Sequence, residues 1–194
     1  MRALQRWGVR EWGFAWLGAL AVWLVTVVVA SGQGAAATLV AGLSFSVFFV
    51  LVAIGQMFVI ASGPGNVDLS IPATITLGGG VAMRLMGGSD ALILPGLAAA
   101  VAVGLAVGLA NYGLIRALRI PPIIATLASS FVVQSAAIWY GRGLLIKPPP
   151  LLEAFAFAKL AGLPLMALLA VPFTALMALV LRRTVYGRSV LAIG

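Results

Sequence analysis

Six apolar runs, separated by short clusters of glycine, proline and charged residues, organise this chain. A helix crossing a membrane needs roughly 20 apolar residues to traverse about 30 Å of hydrocarbon. Runs of that length, or slightly shorter, cover residues 14–30, 39–61, 69–86, 91–115, 123–140 and 163–181. The pattern predicts an all-α, polytopic transmembrane helix bundle of about six spans, with residues 1–194 as a single transmembrane domain. The longest polar-containing connection, residues 141–162, is itself rich in Leu, Phe and Pro, so no soluble domain fits there. Within it, Pro148-Pro149-Pro150 predicts a stiff extended segment, and Leu151 to Leu160 a short interfacial helix.

Polar positions inside the runs carry the candidate chemistry. Gly63-Pro64-Gly65-Asn66-Val67-Asp68-Leu69-Ser70-Ile71-Pro72 places a carboxylate between two apolar runs, where an acid is costly and points to function. Pro72 is harmless only in a first helical turn, so the third helix is expected to start at Ser70 to Pro72. Asp68 then stands just before that helix, able to accept hydrogen bonds from exposed amides and to favour the positive end of the dipole. Irregular backbone at membrane depth is also tolerated where it lines a cavity, which makes Asn66, Asp68 and Ser70 candidates for a translocation path. Thr126, Ser130 and Gln134 recur every four residues, with Ser129 beside them. Such a stripe either bonds neighbouring helices or lines an aqueous path. Gln56 is expected to act as interhelical glue.

Glycine adds packing information. Gly96, Ala100, Gly104 and Gly108 form a strip of small residues on the fourth run, a signature of close helix packing. Gly78-Gly79-Gly80 weakens the third helix by about 1 kcal/mol per glycine relative to alanine, so a bend or a tightly packed neighbour is expected there.

Composition agrees with the pattern: 63% of residues are hydrophobic and 8% charged, against roughly 45–50% and 25% in soluble domains. The net charge of +8 is spread in short groups between apolar runs rather than over an aromatic-interleaved surface, which argues against nucleic acid. With an N-terminus in the cytoplasm, six crossings put Arg2, Arg6, Arg10, Arg116, Arg119, Arg182, Arg183 and Arg188 inside and Arg84, Arg142, Lys147 and Lys159 outside, as the positive-inside rule requires. If the short, glycine-rich third run were a re-entrant hairpin, the bias would weaken to seven against five. Arg2, Arg6 and Arg10 before an apolar run also suit a signal peptide, although the length of the run and the Glu11-Trp12 pair favour an interfacial anchor.

Catalysis has few candidates. Cysteine and histidine are absent, which removes thiol chemistry and the usual zinc ligands. Glu11, Asp68, Asp90 and Glu153 are scattered over different connections, which speaks against paired acid–base work. No Gly-Lys-Ser/Thr phosphate loop occurs, so any nucleotide-driven work falls to another chain. From the residues alone, an ion-coupled secondary transporter using Asp68 stays open beside an ATP-driven one.

Several stretches, in order, make the chain recognisable: Gly65-Asn66-Val67-Asp68-Leu69-Ser70, Asn111-Tyr112-Gly113-Leu114-Ile115, Arg119-Ile120-Pro121-Pro122-Ile123-Ile124-Ala125-Thr126-Leu127, Arg142-Gly143, Thr184-Val185-Tyr186-Gly187-Arg188 and Ala192-Ile193-Gly194. With these the chain resembles the permease subunits of bacterial ABC importers of the ribose and simple-sugar type, within the branched-chain amino acid/ribose permease superfamily. The resemblance implies a non-enzymatic subunit of the bacterial cytoplasmic (inner) membrane that translocates a small polar solute, a monosaccharide such as ribose. A branched-chain amino-acid or nucleoside permease is the alternative within the superfamily. It further implies cytoplasmic ATP-binding subunits that hold ATP and Mg, a periplasmic solute-binding protein and a second permease chain. Tyr186, Gly187 and Arg188 would approach the coupling region, and the chain would be the N-terminal portion of a permease, ending before the coupling helix. Pro72 stands where many relatives have glycine, which loosens the link to any one sugar.

Overall fold

The computed structural model describes residues 2–32, 34–143 and 147–193. Helix α1 (Arg2–Val29) runs through the basic segment into its apolar part, and α2 (Ala35–Ala61) follows after a short turn. Trp23 Nε1 donates to Ala35 O at 3.3 Å across that turn. The Glu11-Trp12 anchor involves side chains outside those described, as does Gly194. Helix α3 (Ile71–Met86) begins within the range that Pro72 dictates, with the proline in its first turn. A 3-10 turn, Asp90–Leu92, leads into α4 (Ile93–Leu118), and α5 (Pro122–Gly141) starts on the proline pair. Helices α7 (Leu165–Arg183) and α8 (Val185–Ile193) close the described chain. Among the described residues four helical stretches, Ala35–Ala61, Asp90–Leu118, Pro122–Gly141 and Leu165–Arg183, are long and apolar enough to cross a membrane, while Gly13–Val29 and Ile71–Met86 are shorter apolar segments. The architecture is an all-α, polytopic membrane bundle.

Helix α3 is one continuous helix, not a hairpin, and the three glycines neither break it nor end it. Packing accounts for Gly78, while a Cβ on Gly79 would meet nothing within 4 Å and one on Gly80 only the Tyr140 ring at 4.0 Å. Gly78 is buried, and a Cβ placed on it would stand 3.4 Å from the Ala100 carbonyl oxygen of α4. Helices α3 and α4 run antiparallel, with Ala82 and Met86 against Gly96, Gly78 against Ala100, and Ser70 bonded to Asn111. The small-residue strip is therefore divided. Gly96 and Ala100 meet α3, whereas a Cβ on Gly104 or Gly108 would meet no neighbouring group within 4 Å among the described residues. Helix α5 runs parallel to α3, with Thr126 beside Leu69 at one end and the Tyr140 ring under Arg84 at the other, 4.8 Å from guanidinium to centroid.

Helices α2 and α7 form a second, parallel pair. The Ser44–Phe48 stretch of α2 faces Pro164 and Met166, and Phe58 packs on Tyr186 of α8 with ring centroids 6.2 Å apart. At the far end of the bundle from Asp68, α6 (Pro150–Phe157) forms where a short interfacial helix is expected, but it ends before Leu160, because Lys159 and Leu160 pair in a strand instead. Asp90 Oδ1 accepts the Leu151 amide at 2.9 Å, so a carboxylate caps this helix and ties two connections together. Residues 163–164, assigned from sequence to the sixth span, are instead a strand: β2 (Leu163–Pro164) pairs antiparallel with β1 (Lys159–Leu160). The reason lies in the two-residue loop, where Ala161 (φ 52°) and Gly162 (φ 82°) take the left-handed conformations that suit a tight hairpin.

Small residues make up most of the interior, with Val47, Ile54, Met86 and Leu181 as its larger side chains. Ala73, Ala82, Ala125, Ala137, Ala170, Ser70 and Thr126 are buried, while large side chains such as Trp16, Phe49 and Leu94 point outward. In lipid no hydrophobic gain drives helices together, so close contact of small side chains and hydrogen bonds must do so.

Candidate functional site

The break between α2 and α3 folds back into the bundle. Asp68 is bonded to Gln56, which stands five residues before the end of α2, about 8 Å below it at 1.5 Å per residue. Ser70 is bonded to Asn111, seven residues before the end of α4, about 10 Å inside. Non-helical backbone at that depth needs its polar groups satisfied by protein.

Two side chains from flanking helices do so. Gln56 grips Asp68 at both main-chain groups, donating Nε2–H to Asp68 O at 2.7 Å and accepting the Asp68 amide on Oε1 at 3.2 Å. This is the pairing a neighbouring strand would supply, made instead by one side-chain amide. From α5, Thr126 Oγ1 accepts the Leu69 amide at 3.0 Å. Its single proton is shared between Pro122 O at 2.9 Å and Val67 O at 3.2 Å. Gln56 thus bonds loop backbone rather than a second helix, which corrects its sequence assignment.

Asp68 caps α3. Its Oδ1 accepts the Ser70 amide at 2.8 Å and the Ser70 hydroxyl at 2.6 Å, beside the positive end of the helix. The Ser70 hydroxyl in turn accepts Asn111 Nδ2–H at 2.8 Å. A relay of polar groups therefore runs from α2 through the turn to α4. Ser70, Asn111 and Thr126 are buried and Asp68 is half-buried. The Asn111 carbonyl Oδ1 is buried with no partner among the described residues.

Of the sequence candidates, the structure brings Asp68, Ser70 and Thr126 together. Asn66 stands apart, its Nδ2 donating to Ser62 Oγ at 3.1 Å to close the turn after α2. Gly65, with φ 79°, supplies the left-handed step in that turn. Ser130 and Gln134 lie deeper along α5, half-buried and without a side-chain hydrogen bond among the described residues. Asn111 was missed as a site residue, although a lone amide near the end of an otherwise apolar helix was a signal available in the sequence.

The other motif region, Thr184 to Arg188, is a tight corner between α7 and α8. Thr184 serves both helices: its hydroxyl donates to Val180 O at 2.6 Å and accepts the Gly187 amide at 3.1 Å. Gly187 is buried against the carbonyls of Val180 and Leu181, where any Cβ would overlap backbone. Tyr186 rests on Phe58, and Arg188 is exposed.

Curated relatives match the chain over most of its length. The L-arabinose ABC transporter permease protein AraH of Azospirillum brasilense is 33% identical over 159 residues, which cover 79% of this chain and 45% of that protein. The L-arabinose transport system permease protein AraH of Escherichia coli strain K12 is 34% identical over 146 residues, covering 74% and 43%. The chain spans less than half the length of these relatives. No family model matches the chain, and no solved structure matches it.

Proposed function

Because this chain belongs to the simple-sugar ABC permeases, multi-pass proteins of the inner membrane, we propose that it is the membrane-spanning part of an ATP-driven importer for a monosaccharide, with a pentose such as L-arabinose as the first solute to test. The observation that carries this reading is one-third identity to two arabinose permeases across about three quarters of the chain. A periplasmic binding protein would deliver the sugar. ATP and Mg would be bound and consumed by cytoplasmic subunits, with a second permease chain completing the path. The N-terminus would be cytoplasmic, which puts the Asp68 turn on the cytoplasmic side of the bilayer centre.

The turn at Asp68 supports a path at this point. Broken helices of this kind surround the sites of many transporters. Both bonds to Asp68 Oδ1 come from Ser70, so the carboxylate's first role is to hold the turn. Asn66, Ser130 and Gln134 remain candidates for the path above and below it. The corner at Tyr186, Gly187 and Arg188 would set α8 for contact with the ATP-binding subunits, its single-residue junction leaving little slack.

The test is uptake of labelled L-arabinose by the complete transporter. Depleting ATP with the ion gradient intact is expected to abolish uptake. Uptake that follows the gradient instead would make the protein an ion-coupled carrier.

A further inference from the structure

We infer that Asn111 determines solute specificity, its Oδ1 accepting a hydroxyl of a small polyhydroxylated solute held between α4 and α5; this rests on the sugar-permease reading. Asn111 is only 4% exposed, and its Nδ2 is committed to Ser70. The carbonyl Oδ1 has no partner among the described residues. Buried acceptors are nearly always paired, so an orphan calls for a reason. The neighbouring hydroxyls cannot supply the missing proton. Ser70 gives its own to Asp68, Ser129 to Thr126 O, and Thr126 to Pro122 O and Val67 O. The donor must come from outside this cluster.

A place for it adjoins. Asn111 lines a groove of about 330 Å³ between α4 and α5, with Ala106, Val107 and Ala110 on one side and Ser129 and Val133 on the other. That size lies near the lower end of the roughly 300–1,000 Å³ of small-ligand sites, which are mostly apolar with a few placed polar groups. Sparse polarity suits a transport path, where a solute must bind well enough to enter and weakly enough to leave. An acceptor without a donor favours a ligand that carries hydroxyls. It also discriminates against an analogue that lacks the hydroxyl concerned, since the carbonyl then stays unpaired.

The experiment compares uptake of L-arabinose with its monodeoxy analogues by the complete transporter, wild type and Asn111→Leu, at matched membrane abundance. Discrimination by the binding protein is common to both, so a change in the ratio belongs to the permease. At least one analogue is expected to fall behind arabinose about tenfold in the wild type, the equivalent of one net hydrogen bond. In Asn111→Leu that ratio should fall by the same factor of about ten, to whatever the binding protein alone imposes. An unchanged ratio overturns the proposal and leaves the carbonyl to a water or a lipid. Ala110→Leu fills the groove without touching the polar relay and should lower arabinose uptake even if Asn111→Leu fails to assemble; full uptake by Ala110→Leu also overturns it. If the wild-type transporter takes up no monosaccharide, the sugar reading itself falls, and this proposal with it.

Discussion

Two corners of this molecule solve the same problem, joining helices at or near membrane depth, by opposite means. The α7–α8 corner is local: Thr184 caps both helices, Gly187 admits the close approach, and every group involved lies within eight residues of the others. The α2–α3 corner is assembled from a distance. Its backbone is satisfied by Gln56 from one helix and Thr126 from another, 57 positions beyond Leu69. A local corner forms with its own segment and resists change elsewhere. A corner held from three helices exists only while those helices keep their places, so any relative movement of α2, α4 and α5 must alter it. That dependence is what a transporter can use and a plain scaffold would avoid.

The contrast can be broken by substitution. Gln56→Leu should have the largest effect, since it orphans the amide and the carbonyl of Asp68 at about 1–3 kcal/mol each. Denaturation in bicelles should show the loss, and hydrogen exchange should show the Asp68 and Leu69 amides exposed while α7 and α8 stay protected. Exchange spreading equally to both corners would end the distinction. Gly187→Ala comes next, at or above the upper end of the about 1–3 kcal/mol typical of overpacking, because the new Cβ meets backbone that no rotamer can move. Its exchange signature should be confined to α7 and α8. Thr184→Ala is the mildest, about 1 kcal/mol for a lost cap. If it proved costlier than Gln56→Leu, the local corner would be the more cooperative of the two.

Much of this was legible in the sequence. The spacing of Pro72 behind Asp68 predicted a capped helix start, and the structure has the Ser70 amide on the Asp68 carboxylate. The Pro121-Pro122 pair marked the start of α5, and the run from Leu151 marked α6. What escaped were partnerships. Gln56 was legible as a polar residue in a membrane helix, but not as the clamp on Asp68, because its partner is a backbone amide and carbonyl with no side-chain signature. The hairpin at Ala161-Gly162 escaped because apolar composition there matched the span that follows it.

Composition and the spacing of apolar runs alone determined that this chain lives in lipid as an all-α bundle, since hydrocarbon forces each segment to satisfy its own backbone and leaves helix as the only choice at these lengths. Only tertiary structure decided which polar groups meet. Hydrogen bonds between Ser70 and Asn111, or Leu69 and Thr126, join residues 41 and 57 apart, and their existence depends on helix rotation and depth. For α3 and α4 those follow from the fit of Gly78 on Ala100 and Gly96 on Met86, a matter of shape that no single helix contains.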